Sequence, residues 1–178
     1  VAAIVMNANP FTLGHQYLVE TAAAECDVLH LFIVKEDISA FSYEVREKLV
    51  KLGTEHLNNI VYHHTGNYIV SSATFPSYFI KESEEVTRAQ AGVDAAVFEQ
   101  IAKTLGITIR FVGDEPFSFA TNLYNQEMLK RLPKYGVELK ILPRKVDGSG
   151  KAISATRVRE YIVQKEWDSL KTLLPEST

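Results

Sequence analysis

Val1-Ala2-Ala3-Ile4-Val5-Met6 is an unbroken apolar run that gives way, at Asn7-Ala8-Asn9-Pro10-Phe11-Thr12-Leu13-Gly14-His15, to a segment of helical periodicity. Apolar residues in succession, without alternation, suit a strand buried on both faces of a parallel sheet. The Asn-Pro pair ends that strand, because proline lacks an N–H and disfavours regular structure on its N-terminal side. Gly14 lets the backbone come close to whatever sits above the turn. A helix starting there would aim free N–H groups and the positive end of its dipole at an anion. His15 adds a donor beside those amides. By itself the segment fits an ordinary βα turn with an incidental histidine as well as it fits a phosphate site.

Working outward, strand-like runs recur at 28–34, 60–63, 108–112 and 138–142, separated by helical patterns at 13–25, 43–52, 93–105 and 120–131. Gly106 and Gly136 stand where helices should stop, each just before a strand. Two more helical segments, 156–164 and 167–174, close the chain. Repeated β-α-β units predict an α/β fold: a Rossmann-like, doubly wound parallel sheet with right-handed crossovers. Ligands of such sheets bind beyond the carboxyl ends of the strands where strand order reverses. With the common order 3-2-1-4-5, the crevice falls between the first and fourth strands, flanked by loops 7–15 and 113–119. Residues 66–91 show no single periodicity and read as a binding loop or lid, their charged run at 81–85 as a solvated helix face.

At 178 residues and 46% hydrophobic, the chain can bury one substantial core, most simply as a single domain over 1–178. A net charge of -3 gives no hint of a nucleic-acid or anionic-membrane partner, so phosphate binding must come from a local site. No apolar run is long enough to span a bilayer and no signal peptide is evident. The single cysteine, Cys26, excludes an internal disulfide and reads as a structural thiol in a reducing cytoplasm. The abrupt start on a core strand suggests a domain cut from a longer polypeptide.

Two further segments carry chemistry. Phe111-Val112-Gly113-Asp114-Glu115-Pro116-Phe117 follows the fourth strand; Gly113 permits close approach, and the carboxylates can accept from a base or ribose. A plain acidic helix cap explains that segment equally well. Ile153-Ser154-Ala155-Thr156-Arg157-Val158-Arg159 follows a polar loop, 146–151, and opens an amphipathic helix. Its hydroxyls, first-turn amides and an arginine form a polyphosphate cradle, though isolated Ser/Thr-rich helix starts are usually only caps.

Taken together the segments are more specific. Thr12-Leu13-Gly14-His15 resembles the (H/T)xGH signature of the nucleotidyltransferase superfamily, and Ile153 to Arg159 resembles its ISSTxxR signature with alanine for the second serine. The stretch from Val5 to His15, Ala73-Thr74-Phe75-Pro76-Ser77-Tyr78-Phe79, the block from Arg110 to Phe117 and Tyr124-Asn125-Gln126 are similar to the C-terminal domain of the [citrate (pro-3S)-lyase] ligase family. The similarity covers essentially the whole chain. It implies a nucleotidyltransferase-type sheet and, in the longer protein, an additional N-terminal acetyltransferase-like domain.

The resemblance also implies a reaction. Acetate attacks the α-phosphate of ATP, carried with Mg²⁺, expelling pyrophosphate and giving acetyl-adenylate; a thiol prosthetic group on the citrate lyase acyl-carrier subunit then takes the acetyl group and releases AMP. On that analogy His15, helped by the Thr12 hydroxyl and the amides around Gly14, holds the α-phosphate region. Asn7 faces the nucleophile. Gly113, Asp114 and Glu115 border the adenosine, while Ser154, Thr156 and Arg159 hold the β- and γ-phosphates; Phe11 and Ile153 also belong to the nucleotide-binding set. Threonine at the first histidine position leaves one donor neutral, so Lys35, Arg46, Arg144 and Lys145 are candidates for the missing positive charge, or simply surface charges. No histidine or carboxylate set has metal-ligand spacing: His63 and His64 are adjacent and point apart, and His30 reads as a satisfied core residue. Two alternatives stand beside the ligase reading: an adenylyltransferase of the phosphopantetheine or nicotinamide mononucleotide type, and a non-catalytic nucleotide-binding module.

Overall fold

The computed structural model describes residues 1–36, 38–79, 81–115 and 118–178. Five strands, β1 (Ala2–Met6), β2 (Leu29–Ile33), β3 (Ile60–His64), β4 (Ile109–Gly113) and β5 (Glu138–Leu142), form one sheet in the order β3-β2-β1-β4-β5. All four pairings are parallel, with Ala3 opposite His30 on one side and Arg110 on the other. The expected order and the reversal between β1 and β4 are both present. Helices α1 (Leu13–Ala24), α2 (Tyr43–Thr54), α3 (Glu84–Leu105) and α4 (Phe119–Arg131) make the crossovers, and α5 (Ala155–Gln164) with the short α6 (Trp167–Leu170) follows the sheet.

The unalternating runs divide by parity. Ala2, Ile4, Leu29, Leu31, Ile33 and Phe111 pack on the α1–α2 side. Ala3, Phe32, Val112 and Leu139 pack on the other, beneath Ala91, Ala95 and Phe98 of α3. Each fully buried Leu, Ile or Phe contributes roughly 1.5–3 kcal/mol, so both faces are needed. A third, smaller cluster of Ile153, Val158, Leu170 and Leu173 seats α5 against the domain. There Leu13 N–H donates to the Leu173 carbonyl at 2.9 Å, tying the chain's end to the start of α1.

Two boundaries differ from the periodicity reading. The third long helix begins at Glu84 rather than near 93, because Ser83 caps it by accepting from Val86 N–H while Glu84 and Glu85 favour its dipole. Its first turns are polar, which masks the apolar period. The last helix ends at Leu170 rather than near 174.

Residues 66–79, within the stretch read as a binding loop or lid, are packed onto the domain. Ile69 and Phe75 are fully buried, Phe75 stacks on Tyr124 with ring centroids 4.9 Å apart, and Asp94 of α3 accepts from Val70 N–H at 2.6 Å and from the Thr74 hydroxyl at 3.0 Å. The charged run does open a solvent-facing helix start at Glu84 and Glu85. Cys26 is half-buried, its thiol donates to the Ala22 carbonyl, and burial pushes its pKa up. Among the described residues no helix is long and apolar enough to cross a membrane.

Candidate active site

A cleft of about 1070 Å³ lies beyond the carboxyl ends of β1 and β4. Its lining includes Asn7, Thr12, Gly14 and His15 from the β1–α1 segment, Gly113, Asp114 and Glu115 after β4, and Ile153, Ser154, Thr156 and Arg159 around the start of α5. Three segments far apart in sequence therefore share one cavity.

Thr12 is the N-cap of α1 and forms a capping box with His15. Its hydroxyl accepts from His15 N–H at 3.3 Å and lies 2.9 Å from His15 Nδ1, while Thr12 N–H donates to the same Nδ1 at 3.1 Å. Nδ1 is thus the ring's acceptor, which places the proton on Nε2. Burial, helped by the nearby Arg144 guanidinium, lowers the His15 pKa to about 4. At neutral pH His15 is an uncharged, oriented N–H donor. The Thr12 hydroxyl, which lines the cleft, also holds the ring in place through Nδ1. Leu13 N–H and Gln16 N–H are also bonded, which leaves Gly14 N–H without a partner among the described residues. A Cβ at Gly14 would sit 3.3 Å from the Ile153 carbonyl, so glycine lets α1 and the α5 segment approach closely.

At α5, Ser154 is the N-cap and accepts from Arg157 N–H at 3.2 Å. Ala155 and Thr156 N–H groups have no partner among the described residues, so two amides and the helix dipole converge there. Arg159 donates from Nη2 to the Thr156 hydroxyl at 3.1 Å and from Nη1 to the Asn9 carbonyl at 2.5 Å. Arg157 points elsewhere: it pairs with Asp147 at 2.7 Å and donates to the Ala152 carbonyl, bracing the 146–152 loop.

The other candidates separate clearly. Asn7 lines the cleft with its Oδ1 accepting from Arg46 Nη1 at 3.0 Å and from the Ser39 hydroxyl. Phe11 does not line the cleft; it is fully buried beneath α2 and stacks behind His15 with centroids 5.7 Å apart, so its role is support. Glu115 bonds Arg144 and accepts from Ser118 N–H at 3.2 Å, and Asp114 gives its carbonyl to Arg144 Nε at 2.8 Å. Pro116 and Phe117 lie outside the described residues. Of the candidate cations, Arg46 is fully buried and donates to the carbonyls of Asn7, Val34, Glu36 and Phe41, Lys35 borders a separate surface hollow, and Arg144 and Lys145 line the cleft. His30 and His63 bond each other at 2.8 Å on the sheet, outside the cleft lining.

Residues 1–178 match the family described as citrate lyase ligase C-terminal domain. The chain belongs to that family. It is 45% identical over 183 residues to the [citrate [pro-3S]-lyase] ligase of Klebsiella pneumoniae, covering 100% of this chain and 53% of that protein. It is 43% identical over 184 residues to the enzyme of that name from Escherichia coli K12, covering 100% of this chain and 52% of that one. The chain thus spans about half the length of the curated relatives it matches. In fold it is similar to Thermotoga maritima TmcAL, solved with alpha-thio ATP, at a TM-score of 0.58 and 14% identity over 99% of this chain and 53% of that one.

The cleft holds one feature that the sequence reading did not single out. Arg110 of β4 is 1% exposed and sits at the wall of the cleft. Its Nη2 donates to the Tyr124 hydroxyl at 3.0 Å, and Tyr124 in turn donates to Asp94 Oδ2. Burial pushes the Tyr124 pKa far up, so the hydroxyl stays protonated. An arginine inside the apolar run Ile109-Arg110-Phe111-Val112 was the available signal, since buried arginines are rare without a partner.

Proposed function

We propose that this chain is the adenylate-forming part of an ATP-dependent acetate–thiol ligase acting on the acyl-carrier subunit of citrate lyase. The observation that carries the reading is the meeting of His15, Gly14 N–H and the Ser154–Arg159 helix start in one cleft at the β1/β4 switch point. That arrangement suits a triphosphate laid across two helix N-termini, with α-phosphate near His15 and the β- and γ-phosphates near Thr156 and Arg159. An acetate oxygen attacks the α-phosphorus, the Pα–O–Pβ bond breaks, and the electron pair leaves with pyrophosphate. The Nε2–H of neutral His15 donates to the α-phosphate oxygens as charge shifts, a contact that needs no change of protonation. A thiolate of the carrier's prosthetic group then attacks the acetyl carbonyl and AMP departs.

Mg²⁺ enters this reading on the triphosphate. Among the described residues no three His, Cys, Asp or Glu side chains are placed to hold a metal, so phosphates and water would supply its ligands, neutralising charge as pyrophosphate leaves. The lone, half-buried Cys26 suits a reducing cytoplasm.

The test is pyrophosphate exchange into ATP with acetate or with 4'-phosphopantetheine as acceptor. Acetate-dependent exchange is expected. Exchange driven by phosphopantetheine would favour an adenylyltransferase, and nucleotide binding without exchange a non-catalytic module.

A further inference from the structure

Tyr78 brings an uncommitted hydroxyl into the cleft. The residue lines the cavity and is half-buried. Among the described residues its oxygen has no hydrogen-bond partner, and it is not enclosed by the protein. The ring is held from several directions. Tyr78 closes a short 3₁₀ turn, Pro76–Tyr78, in which its N–H donates to the Phe75 carbonyl at 3.1 Å and Ser77 N–H donates to Gln90 Oε1 of α3 at 2.7 Å. The rings of Phe75 and Phe79 stand 6.1 and 5.1 Å from that of Tyr78, centroid to centroid, and Phe75 is itself stacked on Tyr124. A hydroxyl on a ring packed in this way loses little freedom when it meets a ligand.

Three charged groups mark where the hydroxyl sits. Arg46, Arg159 and Glu115 all act on it electrostatically. They belong to different walls of the cleft. Arg46 holds the carbonyl and Oδ1 of Asn7 after β1, Arg159 spans Asn9 and Thr156, and Glu115 follows β4. The hydroxyl therefore lies where the side read as facing the nucleophile meets the side read as holding the phosphates. Burial, with the Glu115 carboxylate, pushes its pKa up, so at neutral pH it is an uncharged donor.

His15 Nε2–H, Gly14 N–H and the α5 start serve the phosphates, which leaves the acyl group without a donor. We propose that the Tyr78 hydroxyl donates to the acyl oxygen of the reacting acid. The inference rests on the acetate-activating reading and extends it to the second step. There the thiolate sulfur bonds to the acetyl carbon and the C=O electron pair moves onto oxygen, where the Tyr78 O–H stabilises it. The pair returns as the bond from carbon to the AMP oxygen breaks and AMP leaves with those electrons. Tyr78 keeps its proton throughout.

The experiment uses acetylsulfamoyl adenosine, a stable mimic of acetyl-adenylate, beside AMP, which lacks the acyl group. In this chain labelled with carbon-13 at tyrosine Cζ, the mimic should move the Tyr78 resonance and AMP should leave it in place. In Tyr78→Phe, calorimetric titration should show the mimic weakened about five- to tenfold, with AMP affinity held within about twofold. Equal shifts of the Tyr78 signal by both ligands, equal losses of affinity, or unchanged binding of the mimic by the folded variant would each overturn the proposal. Should the variant fail to fold, the wild-type resonance decides alone. If AMP binds and the mimic leaves the Tyr78 signal unmoved, the acyl contact is wrong and the nucleotide reading stands. If neither ligand binds, the nucleotide reading falls and takes the Tyr78 assignment with it.

Discussion

Arg159 Nη1 donates to the backbone carbonyl of Asn9 at 2.5 Å, joining the α5 helix to the β1–α1 loop across 150 positions of sequence. The bond sets the spacing between the two helix N-termini that flank the cleft. Its second arm, on Thr156, keeps the guanidinium over the α5 start. Arg159 therefore braces the cleft and places one positive charge at the α5 start.

Substituting Arg159 by alanine should weaken ATP and pyrophosphate binding strongly while AMP binding falls much less. AMP carries only the α-phosphate, which the proposed function places on the His15 side. Lysine should rescue partly, because it keeps the charge but cannot span Asn9 and Thr156 with one planar fork. Calorimetric titration of the three ligands separates this from a plain capped helix, for which all three affinities would stay alike. Equal losses for ATP and AMP would refute the assignment.

His15→Ala should slow pyrophosphate exchange far more than it weakens ATP binding, since its N–H contact strengthens as charge develops. Loss of one such donor costs on the order of 3 kcal/mol in barrier, about a hundredfold in rate. Exchange rates beside ATP affinity for wild type and variant measure the split. An unchanged rate would leave His15 a capping residue only.

The depressed pKa of His15 also makes a stability prediction. The folded state holds the imidazole near 4 against 6.5 for the free side chain, so the unfolded chain binds the proton more readily. The stability from keeping His15 neutral is present above about pH 6.5, declines as pH falls toward 4, and is gone below. Denaturant midpoints between pH 7 and 4 should drop more steeply for wild type than for His15→Gln. Parallel curves would contradict the burial of the neutral ring.

Two helical glycines should respond oppositely to alanine. A Cβ at Gly53 would lie 2.3 Å from the Phe11 ring, which is fully buried behind His15 and cannot yield. Gly53→Ala should cost about 1–3 kcal/mol and disturb the His15 ring signals. At Gly92 the Cβ meets only the end of the Arg131 side chain at 2.8 Å, which can swing away. Gly92→Ala should be neutral or stabilising by up to about 1 kcal/mol. Thermal unfolding of the pair provides the comparison.

Asp147 gathers Ser149 N–H, the Ser149 hydroxyl and Lys151 N–H on one oxygen and Arg157 on the other, which holds its carboxyl far below the usual range. Asp147→Ala should speed amide exchange across 147–152 and loosen the approach to Ser154. Exchange rates equal to wild type would mean that the loop is held by backbone bonds alone.

The order of elements, the sheet and its switch point were legible in the sequence, because unalternating runs at 1–6 and 28–34 can only be buried on both faces and short α/β connections leave few topologies. The Ser154 cap at the start of α5 was legible too, a contact over three residues set by helix geometry, whereas the capping box between Thr12 and His15 appeared only in the structure. What lay beyond the sequence were contacts chosen by packing. Phe11, adjacent to the signature, turned into the core because α2 leaves a slot at Gly53. Polar first turns hid the start of α3, and residues 66–79, lacking any period, were ordered by Asp94 from a helix they only meet in three dimensions. The Arg159–Asn9 bond and the burial of Arg110 against Tyr124 belong to the same class. A sequence specifies which side chains are capable of bonding; only the closed sheet decides which of them, like Arg110 and Tyr124, are brought within reach of each other.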